Sequence, residues 1–302
     1  MGCVLITGTS SGIGLETALE LARAGYTVCA TMRNMGRAQT LCDLAAQEGI
    51  ALHVSEMDVD SDASVREGIA RVRERWGFIE TLVNNAGIER IGAIEELPLE
   101  AFRQTMETNY FGALRTIQAV LPEMRERRTG CIVNVSSVAG RIAPSPMGPY
   151  TASKWALEAL SEVLAQEARP FGIRVAIVEP GIIDTAMARR IETPDGASVY
   201  PQPARFAAMF RASLAAPEAP LVVAAKIRAV IESGTWQLRH PVGANAAPFL
   251  GWRASMSDEQ FADWGALDDD EWYVRVEQEF GLKARPAKPK AATAGSPIPG
   301  LD

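Results

Sequence analysis

Tyr150 and Lys154 stand four residues apart, just after a proline- and glycine-containing run at 144–149. On a helix this spacing projects a phenol and an ammonium from one face, where both can work on one substrate atom. A tyrosine beside a lysine cation is a candidate acid/base, because the positive charge favours the phenolate. The pair alone is a weak signal, since the same spacing occurs by chance in many helices. Its weight depends on what else the chain supplies.

A nucleotide site is the first addition. Gly8, Thr9, Ser10, Ser11, Gly12, Ile13 and Gly14 follow a short apolar run and open an amphipathic one. Between a strand and a helix, three glycines permit a tight turn and aim backbone N–H groups and a helix terminus at a pyrophosphate. The spacing Gly-x-x-x-Gly-x-Gly departs from the common Gly-x-Gly-x-x-Gly pattern, and a ligand-free turn is the plainer alternative. A site favouring NAD often offers a carboxylate at the end of the second strand. This chain has Met32 and Arg33 there, with Arg37 one turn on. Arg33 is suited to a 2′-phosphate, so NADP(H) is favoured; NAD(H) is the alternative if Arg33 pairs locally. Asp58 and Val59 close the third strand, where Asp58 is a candidate acceptor for the adenine amino group or a turn residue. Asn84, Asn85, Ala86 and Gly87 end the fourth, offering amides and a close approach to a cofactor, or an ordinary turn.

The elements that must position these residues alternate regularly. Apolar runs at 4–7, 27–32, 51–57, 81–84, 131–135 and 174–178 read as buried strands. Helical patterns lie at 12–24, 36–48, 61–75, 100–127 and 151–169. Continuous apolar strands separated by helices predict a parallel sheet covered on both faces, an α/β fold. Past Gly181 the rhythm loosens into a proline-rich stretch at 182–220, read as a substrate-side lid or, more plainly, a surface insertion, before a helix at 221–232 and a strand at 236–240. Trp252, Phe261, Trp264, Trp272, Tyr273 and Phe280 then fall among many acids. Two short helices there would pack these rings on the main domain or on a partner subunit. The organisation expected is a dinucleotide-binding and catalytic domain over 1–250, a helical extension over 251–282 and a disordered tail over 283–302.

The joint set Thr7-Gly8-x-x-x-Gly12-x-Gly14, Asn84-Asn85-Ala86-Gly87, Asn109, Ser137, Tyr150-x-x-x-Lys154 and Pro180-Gly181-x-x-x-Thr185 resembles the classical short-chain dehydrogenases/reductases over about residues 1–245. The resemblance implies a single-domain, Rossmann-type doubly wound sheet. It implies hydride transfer between a nicotinamide cofactor and a carbonyl/alcohol pair, without a metal. By the same likeness Tyr150 is the acid/base, Lys154 its electrostatic partner and a ribose contact, and Ser137 the holder of the substrate oxygen. Asn109 would hold a water linking Lys154 to solvent, aided by a local bend in its helix. Pro180, Gly181, the Ile183 backbone and the Thr185 hydroxyl resemble the carboxamide- and phosphate-contacting positions; read without the family, Thr185 is a helix cap. Ala30-Thr31-Met32-Arg33 and the run from Leu238 to Gly243 also resemble the 17β-hydroxysteroid/retinol dehydrogenase-like branch, which suggests a fairly apolar alcohol, ketone or aldehyde. The acidic aromatic extension departs from compact members. The family implies a homodimer or homotetramer.

Pocket walls are expected at 87–94, 140–147 and 182–210, with Met147, Met187, Phe206, Met209 and Phe210 as an adaptable apolar surface. Glu89 and Arg90 lie near the expected opening. His240 is remote by topology and reads as a strand-end or core residue. A cofactor-binding structural or regulatory protein is the rival class; intact Tyr150, Lys154, Ser137 and Asn109 weigh against it.

Composition fits these readings. The chain has 302 residues, 47% of them apolar, with 37 acids against 30 bases and a net charge of −7. That balance disfavours nucleic acid and anionic membranes. No apolar run is long enough for a membrane span, and none resembles a signal peptide. Four cysteines and two histidines without metal-site spacing predict no metal and buried, reduced thiols in a cytoplasmic protein.

Overall fold

A computed structural model describes residues 2–192 and 198–286. The strands are β1 (Cys3–Thr7), β2 (Val28–Met32), β3 (His53–Glu56), β4 (Ile79–Asn84), β5 (Gly130–Val135), β6 (Ile173–Pro180) and β7 (Arg239–Val242). They form one parallel sheet in the order β3-β2-β1-β4-β5-β6-β7. β1, β2 and β5 are buried along their whole length, as strands covered on both faces must be.

Two apolar layers flank the sheet. On one face α1 (Gly12–Arg23), α2 (Gln39–Gln47) and α9 (Leu221–Ser233) bury Leu15, Leu19, Leu41, Val223 and Ile227. On the other, α3 (Asp62–Trp76), α5 (Gly112–Arg127) and α6 (Gly148–Ala168) bury Ile69, Val72, Ile117, Val120 and Leu164. A buried polar chain crosses the second layer. Thr116 donates to Asn84 at 2.6 Å, Asn84 to Asn134 at 2.9 Å, and Asn134 to Ser161 at 2.8 Å, tying β4 and β5 to the helices above them.

The helix expected over 100–127 is not uniform. α4 (Leu99–Met106) passes through a π-helical turn, Glu107–Phe111, into α5. That turn contains Asn109. The strand expected at 236–240 lies at Arg239–Val242 and is followed by α10 (Ala246–Ala254); the stretch 251–282 then carries α11 (Asp258–Ala266) and α12 (Asp269–Phe280). Between β6 and α9 lie α7 (Ala186–Arg189) and α8 (Gln202–Ser213); residues 193–197 of the expected lid fall outside the described residues.

α8 is buried on two sides. Phe206 and Ala207 pack toward Met147 and Tyr150, while Ala208 packs against Trp272 and Val276 of α12. Within the stretch expected as a disordered tail over 283–302, Ala284 is buried in that second cluster, and Arg285 donates to the Asp270 carbonyl at 2.8 Å. Residues 287–302 of the tail lie outside the described residues. Cys42 is exposed on α2, contrary to the expectation of buried thiols, whereas Cys3, Cys29 and Cys131 are buried; all four are free. Among the described residues no helix is long and apolar enough to cross a membrane, and no group of three potential metal ligands comes together.

Candidate active site

The carboxyl ends of β1, β2, β4, β5 and β6 open onto a cleft of 520 Å³. Gly8, Ser10, Ser11, Gly12 and Ile13 form one wall, Arg33, Asp58 and Val59 the next, and Asn85, Ala86 and Gly87 the floor. Ser137, Tyr150, Lys154, Pro180, Gly181, Ile183 and Thr185 complete it. Gly14 and Asn109 do not line the cleft.

The glycine loop is shaped by close approaches. Gly8 has φ +72°, and a Cβ there would lie 2.7 Å from the Ala86 backbone. At Gly14 a Cβ would lie 2.3 Å from Asn85 Nδ2 and 2.4 Å from the Gly8 carbonyl oxygen. The absence of a side chain at Gly14 therefore lets α1 approach the turn. Asn85 Nδ2 donates to the carbonyls of Thr7 and Gly8, each at 3.0 Å. The Thr7 hydroxyl accepts from the N–H groups of Asn85 and Ala86 at 3.1 and 3.0 Å. The ends of β1 and β4 are thus cross-linked directly beneath the loop.

At the end of β2, Arg33 is two-thirds exposed and makes only a long contact, 3.7 Å, with Asp60. Asp60 accepts from the Thr108 hydroxyl at 3.0 Å, but its Oδ1 is buried with no partner. Burial raises the Asp60 carboxyl above its ordinary range. Asp58 accepts from the Asp60 N–H at 3.2 Å, a turn role. Thr185 caps α7 through Ala188 N at 3.1 Å and also faces the cleft. Arg33, Asn34 and Arg37 share one mouth of the cleft, with no carboxylate on β2 itself.

At the other end, α6 presents Tyr150 and Lys154. Lys154 is buried and donates to the Val135 carbonyl at 2.9 Å, with Nζ 5.7 Å from the Tyr150 ring centre. Burial lowers the Lys154 ammonium to about 8, opposed by the charge of Glu158. Burial raises the Tyr150 phenol and the charge of Glu89 adds to the rise, while the Ser137 hydroxyl opposes it. Ser137 accepts from Ala139 N at 3.1 Å and reaches the Pro180 carbonyl at 3.5 Å. Asn109 works from behind: its Oδ1 accepts from Ile88 N at 2.8 Å, and its Nδ2 donates to the Ile88 carbonyl and to Ser153, both at 2.9 Å. Ser153 in turn donates to the Tyr150 carbonyl at 2.7 Å. The amide therefore fixes the Gly87–Ile88 turn against α6.

Ser137, Met147, Gly181, Ile182 and Phe210 also line a second cavity, of 510 Å³, that is almost wholly apolar. Residues expected at 140–147 and 182–210 supply Ile142, Met147, Ile182, Phe206, Met209 and Phe210. The 87–94 segment instead contributes Gly87, Ile88 and Glu89 to the first cleft, and Met187 lies there too. Burial raises the Glu89 carboxyl to about 7, against the pull of Arg190 and Arg90. His240 lies on β7, bonded to the Gln237 carbonyl at 2.9 Å.

The far wall of the apolar cavity belongs to the extension. Phe249, Trp252, Phe261, Trp264, Trp272 and Phe280 line it. Glu279 Oε2 accepts from both Trp252 Nε1 and Trp264 Nε1, at 2.8 and 3.0 Å. These rings were legible as amphipathic helices, but their place against Ile142 and Ser137 carries no local signal. Asn245 was likewise missed: its Oδ1 accepts from Ile182 N at 2.9 Å and holds the turn after Gly181.

Comparison with known proteins gives matching results. The family model described as short chain dehydrogenase matches residues 2–196. Human retinol dehydrogenase 8 is 45% identical over 187 residues, covering 60% of this chain; the match spans 59% of that relative's length. A short-chain dehydrogenase structure from Streptomyces avermitilis has a TM-score of 0.74 at 34% identity, covering 87% of this chain and 95% of that one. A variant of actinorhodin polyketide ketoreductase solved with NADPH has a TM-score of 0.73 at 31% identity, covering 81% and 97%.

Proposed function

The chain belongs to the short-chain dehydrogenase/reductase family of oxidoreductases, and from that premise we propose that it interconverts a carbonyl and an alcohol on a fairly apolar small molecule, using NADP(H). The observation that carries this reading is the convergence of Ser137, Tyr150 and Lys154 where the polar cleft meets the apolar cavity.

The cleft suits a nicotinamide dinucleotide. Gly8 and Gly12 keep side chains off the loop that would face a pyrophosphate. Arg33 and Arg37 offer charge-assisted bonds to a 2′-phosphate. When bound, the nicotinamide supplies or takes up the hydride at the substrate carbon. In reduction Tyr150 gives its phenol proton to the carbonyl oxygen, and in oxidation its phenolate takes the alcohol proton. The Ser137 hydroxyl holds that oxygen and the charge it gains. Lys154⁺ favours the phenolate and would bond to the ribose of the bound cofactor, and Asn109 keeps the Gly87–Ile88 wall in register with α6. Alignment of substrate and cofactor supplies much of the rate.

The apolar cavity supports a hydrophobic substrate body, and the human relative, a retinol dehydrogenase, is consistent with one. NADPH in the ketoreductase structure is consistent with the cofactor assignment. The Arg33–Asp60 contact favours the second reading, an NAD(H)-preferring dehydrogenase in which Arg33 pairs locally; at 3.7 Å on an exposed side chain it is too weak to dominate. Exposed Phe111, Trp155 and Val163 on the α5–α6 side support a homo-oligomer, and four free thiols support a cytoplasmic location. A screen of ketones, aldehydes and secondary alcohols with both cofactors, following nicotinamide absorbance, tests the proposal. It expects turnover of bulky apolar carbonyls with NADPH preferred. Turnover confined to small polar alcohols with NAD would refute it.

A further inference from the structure

Glu158 follows Lys154 by one turn of α6, as Lys154 follows Tyr150. It is only 4% exposed and sits beneath the turn after β5, where a Cβ on Gly140 would lie 2.9 Å from Glu158 Cγ. Its Oε2 accepts from Arg239 Nε at 2.9 Å, whereas its Oε1 is buried without a partner. The Ser136 hydroxyl faces this carboxylate but completes no hydrogen bond. Glu179, fully buried near the end of β6, has one oxygen 3.5 Å from Arg141 and 3.7 Å from Arg239, and another without a partner. Arg239 pairs as well with Glu162, which is half exposed.

Two carboxylates are thus buried behind the site, with Arg239 shared between them, Arg141 on the side of Glu179, and Lys154 one turn from Glu158. A buried ammonium needs a counter-charge, because leaving it unpaired costs more than neutralising it. Glu158 is the carboxylate whose charge acts on Lys154; burial raises its own carboxyl as well, but the direct bond and the charge of Arg239 oppose that rise. Two adjacent buried carboxylates disfavour double ionisation, so the member with the weaker arginine contacts keeps its proton. That member is Glu179, whose carboxyl is raised to about 7 by burial and by Glu158.

We propose that Glu158 is a positioning residue for the reaction: its buried carboxylate is the counter-charge that keeps Lys154 an ammonium beside Tyr150, while Glu179 is the proton-bearing member of the pair. The inference rests on the assignment of Tyr150 as the acid/base.

The chain has only five lysines, and Lys154 is the buried one among those described, so its charge can be read directly. Lysine carrying a carbon-13 label at Cε is introduced into the full-length protein, and Lys154 is assigned with Lys154→Arg. The Lys154 titration is then followed by NMR. In Glu158→Gln its midpoint should fall by about one pH unit, a roughly tenfold loss of the ammonium form on the alkaline side. Glu158→Asp should recover most of that shift, and Glu179→Gln should leave the midpoint in place. The alkaline limb of the carbonyl-reduction profile should move with the NMR midpoint, which a merely structural loss would not produce. If the amide variant does not fold, Glu158→Met fills the same volume without polar atoms and takes the same measurement. A Lys154 midpoint unmoved in folded Glu158→Gln or Glu158→Met would overturn the proposal. A wild-type protein without redox activity would defeat the redox reading and leave the titration result standing.

Discussion

Glu279→Ala tests whether the extension is a working wall of the substrate cavity. In the wild type one carboxylate oxygen holds two indole N–H groups at 2.8 and 3.0 Å, and the other lies 3.3 Å from Arg275. The indoles sit 5.0 Å apart edge to face, and Trp252 also meets the Phe280 ring at 5.0 Å. A hydrogen bond to a charged group contributes about 1.5–3 kcal/mol. Glu279 is 19% exposed, so the lower figure applies to each bond. Losing both costs about 3 kcal/mol, on the order of a hundredfold in favour of a displaced wall. A bulky ketone that spans the cavity would lose its aromatic contacts, whereas a small one reaching only Ser137 and Tyr150 would not. We expect kcat/KM for 2-acetonaphthone to fall roughly 10- to 100-fold and that for 2-butanone to change less than about threefold. Tryptophan emission should shift to the red as the indoles gain water. Equal losses for the two ketones, or none for either, would refute the role assigned to the extension.

Arg33→Ala should weaken NADPH binding about 10-fold or more and leave NADH within about twofold, measured by fluorescence titration; equal effects would remove the phosphate-clamp reading. Glu89→Gln removes a negative charge that raises the Tyr150 phenol, so the phenolate forms at lower pH. The rising limb of alcohol oxidation should then move toward acid, and a stationary limb would show that Glu89 does not act on Tyr150. Trp155 is 49% exposed on α6. Trp155→Glu should yield a smaller species by size-exclusion light scattering with its circular dichroism unchanged; an unchanged mass would exclude this face as the interface.

The sheet was legible because its strands are buried on both faces and therefore read as continuous apolar runs, as at Val28–Met32. The glycine loop was legible because it sits between such a run and an amphipathic helix. Gly14 shows the limit of that reading. Its glycine was expected to face the cofactor, but the constraint is contact with Asn85 and Gly8, which only the folded ends of two strands create. The π-helical turn at Asn109 leaves the local polar pattern nearly unchanged, and the partner its amide meets there is Ile88, 21 residues away. The extension was readable as amphipathic helices with aromatic faces. Which surface those faces cover depends on contacts between positions such as Phe249 and Ile142, far apart in the chain. Glu158 and Glu179 carried no signal at all, since a carboxylate on a helix or strand reads as solvated until its burial is seen.

In the proposed reaction Tyr150 moves the proton. The most direct test of that role is the single-turnover rate of hydride transfer in Tyr150→Phe, with NADPH affinity measured on the same preparation. Removing the hydroxyl leaves the ring and the Lys154–Val135 bond in place. The rate should be at least about 1,000-fold lower, with NADPH affinity within about threefold of wild type. Wild-type hydride transfer in Tyr150→Phe would contradict that role.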